Sequence, residues 1–172
     1  SLMGLIPNIH ELHKMHILTW NCRGLCLVES AARQRMVNHL CSFAGRHSII
    51  SLQETHGEPG EIEAFISSTL PGWKTFASGT RDREDRFSPG AGRVATLIAP
   101  SLWDQVIHSE VQILIPGRCV AVSLAIDSFN INILNVHNFE FSNRQVSGIG
   151  RHISSWRLAT LDSPESNLSF VL

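Results

Sequence analysis

Apolar positions in the first third of the chain follow the order strand, helix, strand. Residues 16–22 and 47–53 are short apolar runs with β-forming side chains, and each predicts a buried strand. Between them, residues 29–45 carry apolar side chains at three- and four-residue spacings, which predicts a helix. Short joins make this a crossover unit, so the two strands are expected to be parallel. Their carboxyl ends, Asn21 and Glu54, should then lie at the same edge of a sheet.

The rest of the chain alternates apolar and polar residues in short segments. Helical spacing predicts two further helices, over residues 61–70 and 143–161. Strands are predicted over residues 73–77, 93–99, 106–115, 119–126 and 130–137. Pro116-Gly117 and Asp127-Ser128 separate the last three of them as turns. This order predicts an α/β fold in which two sheets pack face to face and helices cover them, a four-layer α/β/β/α sandwich.

Composition limits the classes of function. The 172 residues suffice for one domain with a core, and a formal net charge of -1 excludes a strongly basic surface at the level of the whole chain. No apolar run is long enough to predict a membrane span, so no membrane partner is expected. Residues 1–15 show no signal-peptide pattern and are interpreted as a leader or linker before a domain over residues 16–172. The four cysteines are therefore interpreted as reduced thiols of an intracellular protein.

Glu54 is the first candidate for chemistry. A carboxylate fixed at a strand end is a suitable hard ligand for Mg²⁺, and the Asn21 amide can orient that carboxylate or hold a phosphate oxygen. A glutamate at a strand end is also commonly a solvated side chain, so spacing alone leaves both interpretations open.

Two longer motifs resemble those of a known superfamily. Ile-Leu-Thr-Trp-Asn-Cys-Arg-Gly-Leu (residues 17–25) resembles the first motif of the endonuclease/exonuclease/phosphatase superfamily, and Ile-Ile-Ser-Leu-Gln-Glu-Thr (residues 49–55) resembles the second. Residues 92–98 are similar to the glycine-led core strand of these enzymes, and Asn135-Val136-His137-Asn138 stands where they often have Asn-x-Tyr. Within the first motif, the sequence Asn-Cys-Arg-Gly-Leu is most similar to that of the endonuclease domains of non-LTR retrotransposons.

The resemblance implies a deoxyribonuclease-I-like sandwich that hydrolyses phosphodiesters with Mg²⁺ or Mn²⁺. DNA is the implied partner and makes the nucleus a candidate compartment, while no protein partner is implied. The implied roles are metal binding by Glu54 and Asn21, catalysis by Asn21, Glu54 and His137, and substrate binding by Arg93, Asn135 and Asn138. His137 stands at the tyrosine position, and a histidine there titrates near neutral pH, whereas a tyrosine does not.

The family's later motifs are not in this sequence. Neither Gly-Asp-x-Asn nor the closing Asp-His pair occurs, although Phe170-Val171-Leu172 resembles the strand that leads into the former. We therefore expect the N-terminal portion of a domain with an incomplete second sheet, and little or no nuclease activity from this chain. The alternatives are a non-catalytic remnant that binds nucleic acid or a protein, and a phosphatase of the same superfamily.

One further pattern is a basic bias in the predicted helix at residues 143–161. The basic residues are Arg144, Arg151, Arg157 and His152, and no acidic residue occurs before Asp162. This face can follow a phosphate backbone or can simply keep the helix soluble.

Overall fold

The computed structural model describes residues 15–25, 30–78, 93–127, 129–137, 141–162 and 167–172. Within these ranges the strands are β1 (Ile17–Asn21), β2 (Ile49–Gln53), β3 (Lys74–Ser78), β4 (Val94–Ile98), β5 (Val106–Ile115), β6 (Cys119–Ile126), β7 (Phe129–Val136) and β8 (Asn167–Val171). The helices of the described part are α1 (Ser30–Ala44), α2 (Pro59–Thr69), α3 (Pro100–Trp103) and α4 (Asn143–Asp162).

The first sheet has the strand order β1-β2-β4-β3. β1 and β2 are parallel, with Ile17 opposite Ile49 and Asn21 opposite Gln53, and α1 connects them. The predicted crossover is therefore confirmed. β4 runs antiparallel to both β2 and β3, which makes β3 an edge strand.

The second sheet has the strand order β5-β6-β7-β8. β5, β6 and β7 form an antiparallel meander, whereas β8 lies parallel to β7. The chain therefore makes a second crossover, β7-α4-β8, which the sequence pattern did not predict beyond the apolar run at residues 170–172. β8 has five residues, Asn-Leu-Ser-Phe-Val, too few to show a distinct period. The four-residue α3 is also a finding of the structure alone.

Side chains from the inner faces of the two sheets form a common core. Ile49, Val94 and Ile98 of the first sheet pack in one cluster with residues of β6 and β7. The residues of the second sheet in this cluster are Val120, Val122, Leu124, Ile126, Ile131 and Ile133. The predicted alternation of β6 is confirmed, because its even-numbered apolar residues all face this core.

Helices cover the outer face of each sheet. Leu40 of α1 and Ile62, Phe65 and Ile66 of α2 pack with Ile50 and Leu52 of β2. On the other side, Trp156 of α4 packs against Cys119, Ala121 and Leu134 of the second sheet. The predicted α/β/β/α layering is confirmed. No helix in the described ranges is long and apolar enough to cross a membrane.

Candidate active site at the strand ends

Three of the predicted site residues meet at one edge of the sandwich. Asn21 ends β1, Glu54 follows β2, and His137 follows β7 of the other sheet. The parallel pairing of β1 with β2 brings the first two together, and the packing of β7 over β2 adds the third. The site is therefore built from both sheets.

The backbone at these strand ends is in a left-handed conformation. Arg23 has a φ angle of 49°, Glu54 of 54° and His56 of 56°, although none of them is glycine. The Gly24 amide donates to the Glu54 carbonyl at 2.7 Å, so the two strand ends stay paired beyond the sheet. Non-glycine residues in this region cost roughly 1–3 kcal/mol each and cluster at functional sites. Here the conformation fixes the direction in which the Glu54 side chain leaves the sheet.

One oxygen of the Glu54 carboxylate, Oε1, is contacted by two side chains. The Asn21 Nδ2 atom donates to Oε1 at 2.7 Å, and the His137 Nε2 atom lies 3.2 Å from the same oxygen. The Asn21 amide is itself oriented, because the Arg23 amide donates to its Oδ1 atom at 3.2 Å. The hydrogen bond from Asn21 lowers the pKa of Glu54 against the opposing effect of burial, and His137 lowers it further. Glu54 is therefore an ionised carboxylate at neutral pH.

The contact with Glu54 also defines the protonation of His137. A carboxylate only accepts hydrogen bonds, so the contact requires a proton on Nε2. The other ring nitrogen, Nδ1, is buried and has no hydrogen-bond partner among the described residues. The imidazole therefore presents Nε2–H towards the carboxylate.

The donor set of this edge fits a hard divalent cation held through few protein ligands. Within the described ranges, neither Asn21 nor His137 contacts Oε2 of Glu54, and no three His, Cys, Asp or Glu side chains cluster closely enough to enclose a metal. Mg²⁺ commonly keeps several waters and binds through one or two carboxylates together with substrate phosphate. An open site with one ionised carboxylate suits that mode, whereas a closed structural zinc site would need four ligands.

Asn135 lies in the interior rather than at the surface of the site. Its side chain is fully buried, and its Nδ2 atom donates to the carbonyl of Ala95 at 2.9 Å. Its Oδ1 atom accepts a hydrogen bond of 2.8 Å from Gln53 Nε2. Asn135 thus links β7 to the first sheet, two residues before His137 and opposite the strand that ends at Glu54. Sequence reasoning missed Gln53, whose signal is a polar residue at an inward-facing position of a buried strand.

Arg93 lies near the same edge but is already paired. Its carbonyl accepts from the Thr55 amide at 3.1 Å, and its guanidinium forms an ion pair with Glu58 at the start of α2. The Arg93 side chain is 11% exposed, and its Nε atom has no partner among the described residues. Asn138, the remaining predicted site residue, lies outside the described residues.

Comparison with solved structures gives a consistent answer about the fold. A humanized D. rerio TDP2 matches 91% of this chain with a TM-score of 0.54 and 14% identity. The AP endonuclease LMAP from Leishmania major matches 88% of it with a TM-score of 0.54 and 18% identity. The 3' phosphatase NExo from Neisseria, bound to a product DNA hairpin, matches 91% with a TM-score of 0.54 and 14% identity. All three have the deoxyribonuclease-I-like fold.

The chain has the deoxyribonuclease-I-like fold of these structures. It spans 60%, 46% and 56% of the D. rerio, Leishmania and Neisseria chains, respectively. No protein-family model matches the sequence, and no curated protein sequence matches it. The resemblance that the two motifs indicated is thus supported at the level of the fold, and the strand ends that carry Asn21, Glu54 and His137 belong to that fold.

Proposed function

We propose that this chain carries the metal-binding part of a DNA phosphodiester hydrolase. The observation that supports the proposal is the convergence of Asn21, Glu54 and His137 at one strand edge, with Glu54 ionised and bonded through a single oxygen. The bound DNA product in the Neisseria structure supports DNA as the substrate class. The sequence of residues 21–25, Asn-Cys-Arg-Gly-Leu, favours the retrotransposon-type branch of the superfamily.

Each residue has a distinct part in this proposal. Glu54 would hold Mg²⁺ or Mn²⁺, which supplies positive charge to offset the charge that develops on the phosphoryl oxygens. Asn21 keeps the carboxylate oriented through its bond to Oε1. His137 donates Nε2–H to the same carboxylate oxygen and so holds Glu54 from the second sheet. Hydrolysis also requires a general base that activates water. Glu54 would be occupied by the metal, and Asn21 and His137 are bonded to Glu54, so none of the three serves as that base.

We therefore propose that residues 1–172 by themselves bind a divalent metal but hydrolyse DNA slowly. The sequence contains neither Gly-Asp-x-Asn nor Asp-His, the motifs that the resemblance leads one to expect for the remaining catalytic groups. Removing one member of a set of catalytic groups that act together costs several orders of magnitude in rate.

The test combines metal binding with cleavage. Mn²⁺ binding is measured by calorimetry, and nicking of supercoiled plasmid is measured over a Mg²⁺ titration, for the wild-type chain, Glu54→Gln and Glu63→Gln. Glu63 is an exposed residue of α2 and controls for the loss of one negative charge. We expect Mn²⁺ binding by the wild type and Glu63→Gln that is lost in Glu54→Gln, with little nicking by any of them.

Two results would contradict the proposal. Equal Mn²⁺ binding by the wild type and Glu54→Gln would remove Glu54 from the metal site. Efficient Mg²⁺-dependent nicking that disappears in Glu54→Gln would show that the 172 residues contain a complete catalytic set.

A phosphatase is the second candidate, because one structural neighbour is a 3' phosphatase. The same proteins can be assayed on a DNA strand that ends in a 3' phosphate. Release of inorganic phosphate without plasmid nicking, again dependent on Glu54, would favour this activity over internal cleavage.

A further inference from the structure

A groove lies between the first turns of α4 and the end of β5. It encloses about 240 Å³, and its walls include Leu114 and Ile115 of β5 and Gln145 and Ile149 of α4. Arg144 and Arg151 stand at its rim, and Gly148 lies between them. The groove is outside the Glu54 site and was not predicted from the sequence, although the basic bias of α4 was.

The charge of this groove is positive and uncompensated. Arg144 and Arg151 are seven residues apart, two turns of the helix, so they project from the same face. Both are exposed, and within the described part of the chain neither forms an ion pair or a hydrogen bond. Among the residues that the structure describes, no acidic side chain lines the groove. Two free guanidinium groups beside a cavity favour an anionic ligand, and guanidinium geometry matches phosphate oxygens.

Gly148 lines the groove beside the Arg151 side chain. A Cβ atom at this position would lie 3.9 Å from Nη2 of Arg151, so the guanidinium extends over the glycine. Gly150, two residues further along the helix, has no atom within 4 Å of such a Cβ. Glycine destabilises a helix interior relative to alanine. The two glycines therefore weaken this turn of the helix, and at Gly148 the missing side chain leaves room beside the Arg151 guanidinium.

The groove opens at the same edge of the sandwich as the Glu54 site. Ile115 pairs with Cys119, and Cys119 pairs with Val136, the residue before His137. The His137 amide also donates to the carbonyl of Arg118, in the turn between β5 and β6. Two strand spacings, roughly 10 Å, therefore separate the Ile115 backbone, at the groove, from the Val136 backbone, beside His137. A ligand that reaches both places must therefore extend across the ends of β5, β6 and β7.

From these observations we propose that the α4 groove binds a backbone phosphate of a DNA strand whose scissile phosphate lies at Glu54. Arg144 and Arg151 would bind the phosphate oxygens, and Gly148 would allow the strand to approach the helix. This inference rests on the proposed function and narrows it, because a substrate that reaches both places is a polynucleotide and not a mononucleotide or another small phosphoester.

The test measures binding and not cleavage, so it does not depend on whether Glu54 supports hydrolysis. Affinity for a fluorescein-labelled twelve-nucleotide single strand is followed by anisotropy in EDTA over a range of salt concentrations. The proteins are the wild type, Arg144→Gln/Arg151→Gln, and Arg35→Gln/Arg46→Gln. The Arg35→Gln/Arg46→Gln variant is the control. It removes one positive charge from α1 and one from the segment directly after α1, on the opposite face of the sandwich.

A phosphate contact contributes about 0.7 to the slope of log affinity against log salt for a single strand. Because both arginines would bind the same phosphate, we expect the slope to fall by about 0.7 in Arg144→Gln/Arg151→Gln and to keep its wild-type value in Arg35→Gln/Arg46→Gln. Binding of a mononucleotide should be equally weak for all three proteins.

An unchanged slope in Arg144→Gln/Arg151→Gln would overturn the inference, and so would an equal fall in the α1 control or a failure of the wild type to bind the strand. In each of these cases the metal-binding test of Glu54 still decides the proposed function separately. If the inference holds while Glu54 binds no metal, the chain binds nucleic acid without hydrolysing it.

Discussion

At the scale of single residues, Glu54 and His137 differ in how far sequence reasoning can reach. The position of Glu54 beside Asn21 follows from a local pattern of strand, helix and strand within about forty residues. Such a segment usually forms a right-handed crossover between parallel strands, which brings the carboxyl ends of both strands to the same edge. The contact between Glu54 and His137 joins residues 83 positions apart and depends on how the two sheets pack. The resemblance to the superfamily predicted His137 as a site residue, but only the structure shows that its Nε2 atom contacts Oε1 of Glu54.

His152 on α4 provides a prediction about protonation. Burial lowers the pKa of His152, whereas the charge of Glu110 on β5 opposes that shift. Its ring packs edge-on against Trp156 at 4.6 Å, and its Nε2 atom has no partner among the described residues. The neutral form is therefore favoured in the folded state.

Because the folded pKa of His152 lies below 6.5, the unfolded chain binds more protons between these two values. The contribution of His152 to stability is thus present above pH 6.5 and is lost as the pH falls towards the folded pKa. Glu110→Gln should lower the pKa of His152 further, and Glu63→Gln should leave it unchanged. NMR titration of the His152 ring measures both effects, and a higher pKa in Glu110→Gln would contradict the assignment.

At the scale of elements, the bond between Gln53 and Asn135 holds β2 and β7 together. Gln53 Nε2 also donates to Thr19 Oγ1 at 3.1 Å, so the link extends from β7 through β2 to β1. These strands are the three that carry Asn21, Glu54 and His137. The structure therefore gives Asn135 a role in positioning the site, which differs from the substrate contact that the resemblance implied for it.

Asn135→Ala tests this link. The substitution removes the acceptor of one Gln53 N–H and the side-chain donor to the Ala95 carbonyl, and a buried polar group that loses its partner costs about 1–3 kcal/mol. We expect the free energy of unfolding in urea to fall by at least about 1 kcal/mol. Asn38→Ala is the matched control, because Asn38 is exposed on α1 and accepts only from Gln34 within the described residues; it should change stability by less than about 0.5 kcal/mol. Equal stabilities of the two variants would mean that the link contributes nothing.

The elements also show why prediction was uneven. Long segments with clear periods were found within a few residues, as α4 illustrates: residues 143–161 were predicted and Asn143–Asp162 are observed. β8 has five residues and α3 has four, which are too few to show a periodic pattern of apolar residues. The parallel placement of β8 beside β7 is a property of the sheet, and no local pattern in residues 167–171 encodes it.

At the scale of the whole molecule, the inter-sheet core makes the two halves one folding unit. Ile49 and Ile98 of the first sheet share a cluster with Val122 and Ile133 of the second, so neither sheet can lose its inner face alone without exposing the other. The polar groups at the site edge continue this interface through Gln53 and Asn135. The geometry of the candidate site therefore depends on the packing of the entire sandwich.

This arrangement predicts a single unfolding transition for both outer layers. Trp20 packs against Phe43 of α1 on the first sheet, and Trp156 packs in the cluster beneath α4 on the second. The chain has four tryptophans and no tyrosine, so variants that retain only Trp20 or only Trp156, with phenylalanine at the other positions, report one layer each. In each variant, the urea midpoint from fluorescence should coincide with the midpoint from far-ultraviolet circular dichroism. If fluorescence of Trp156 changed at clearly lower urea than the dichroism of the same variant, α4 and the second sheet would unfold separately. In that case the inter-sheet core would be weaker than its burial indicates.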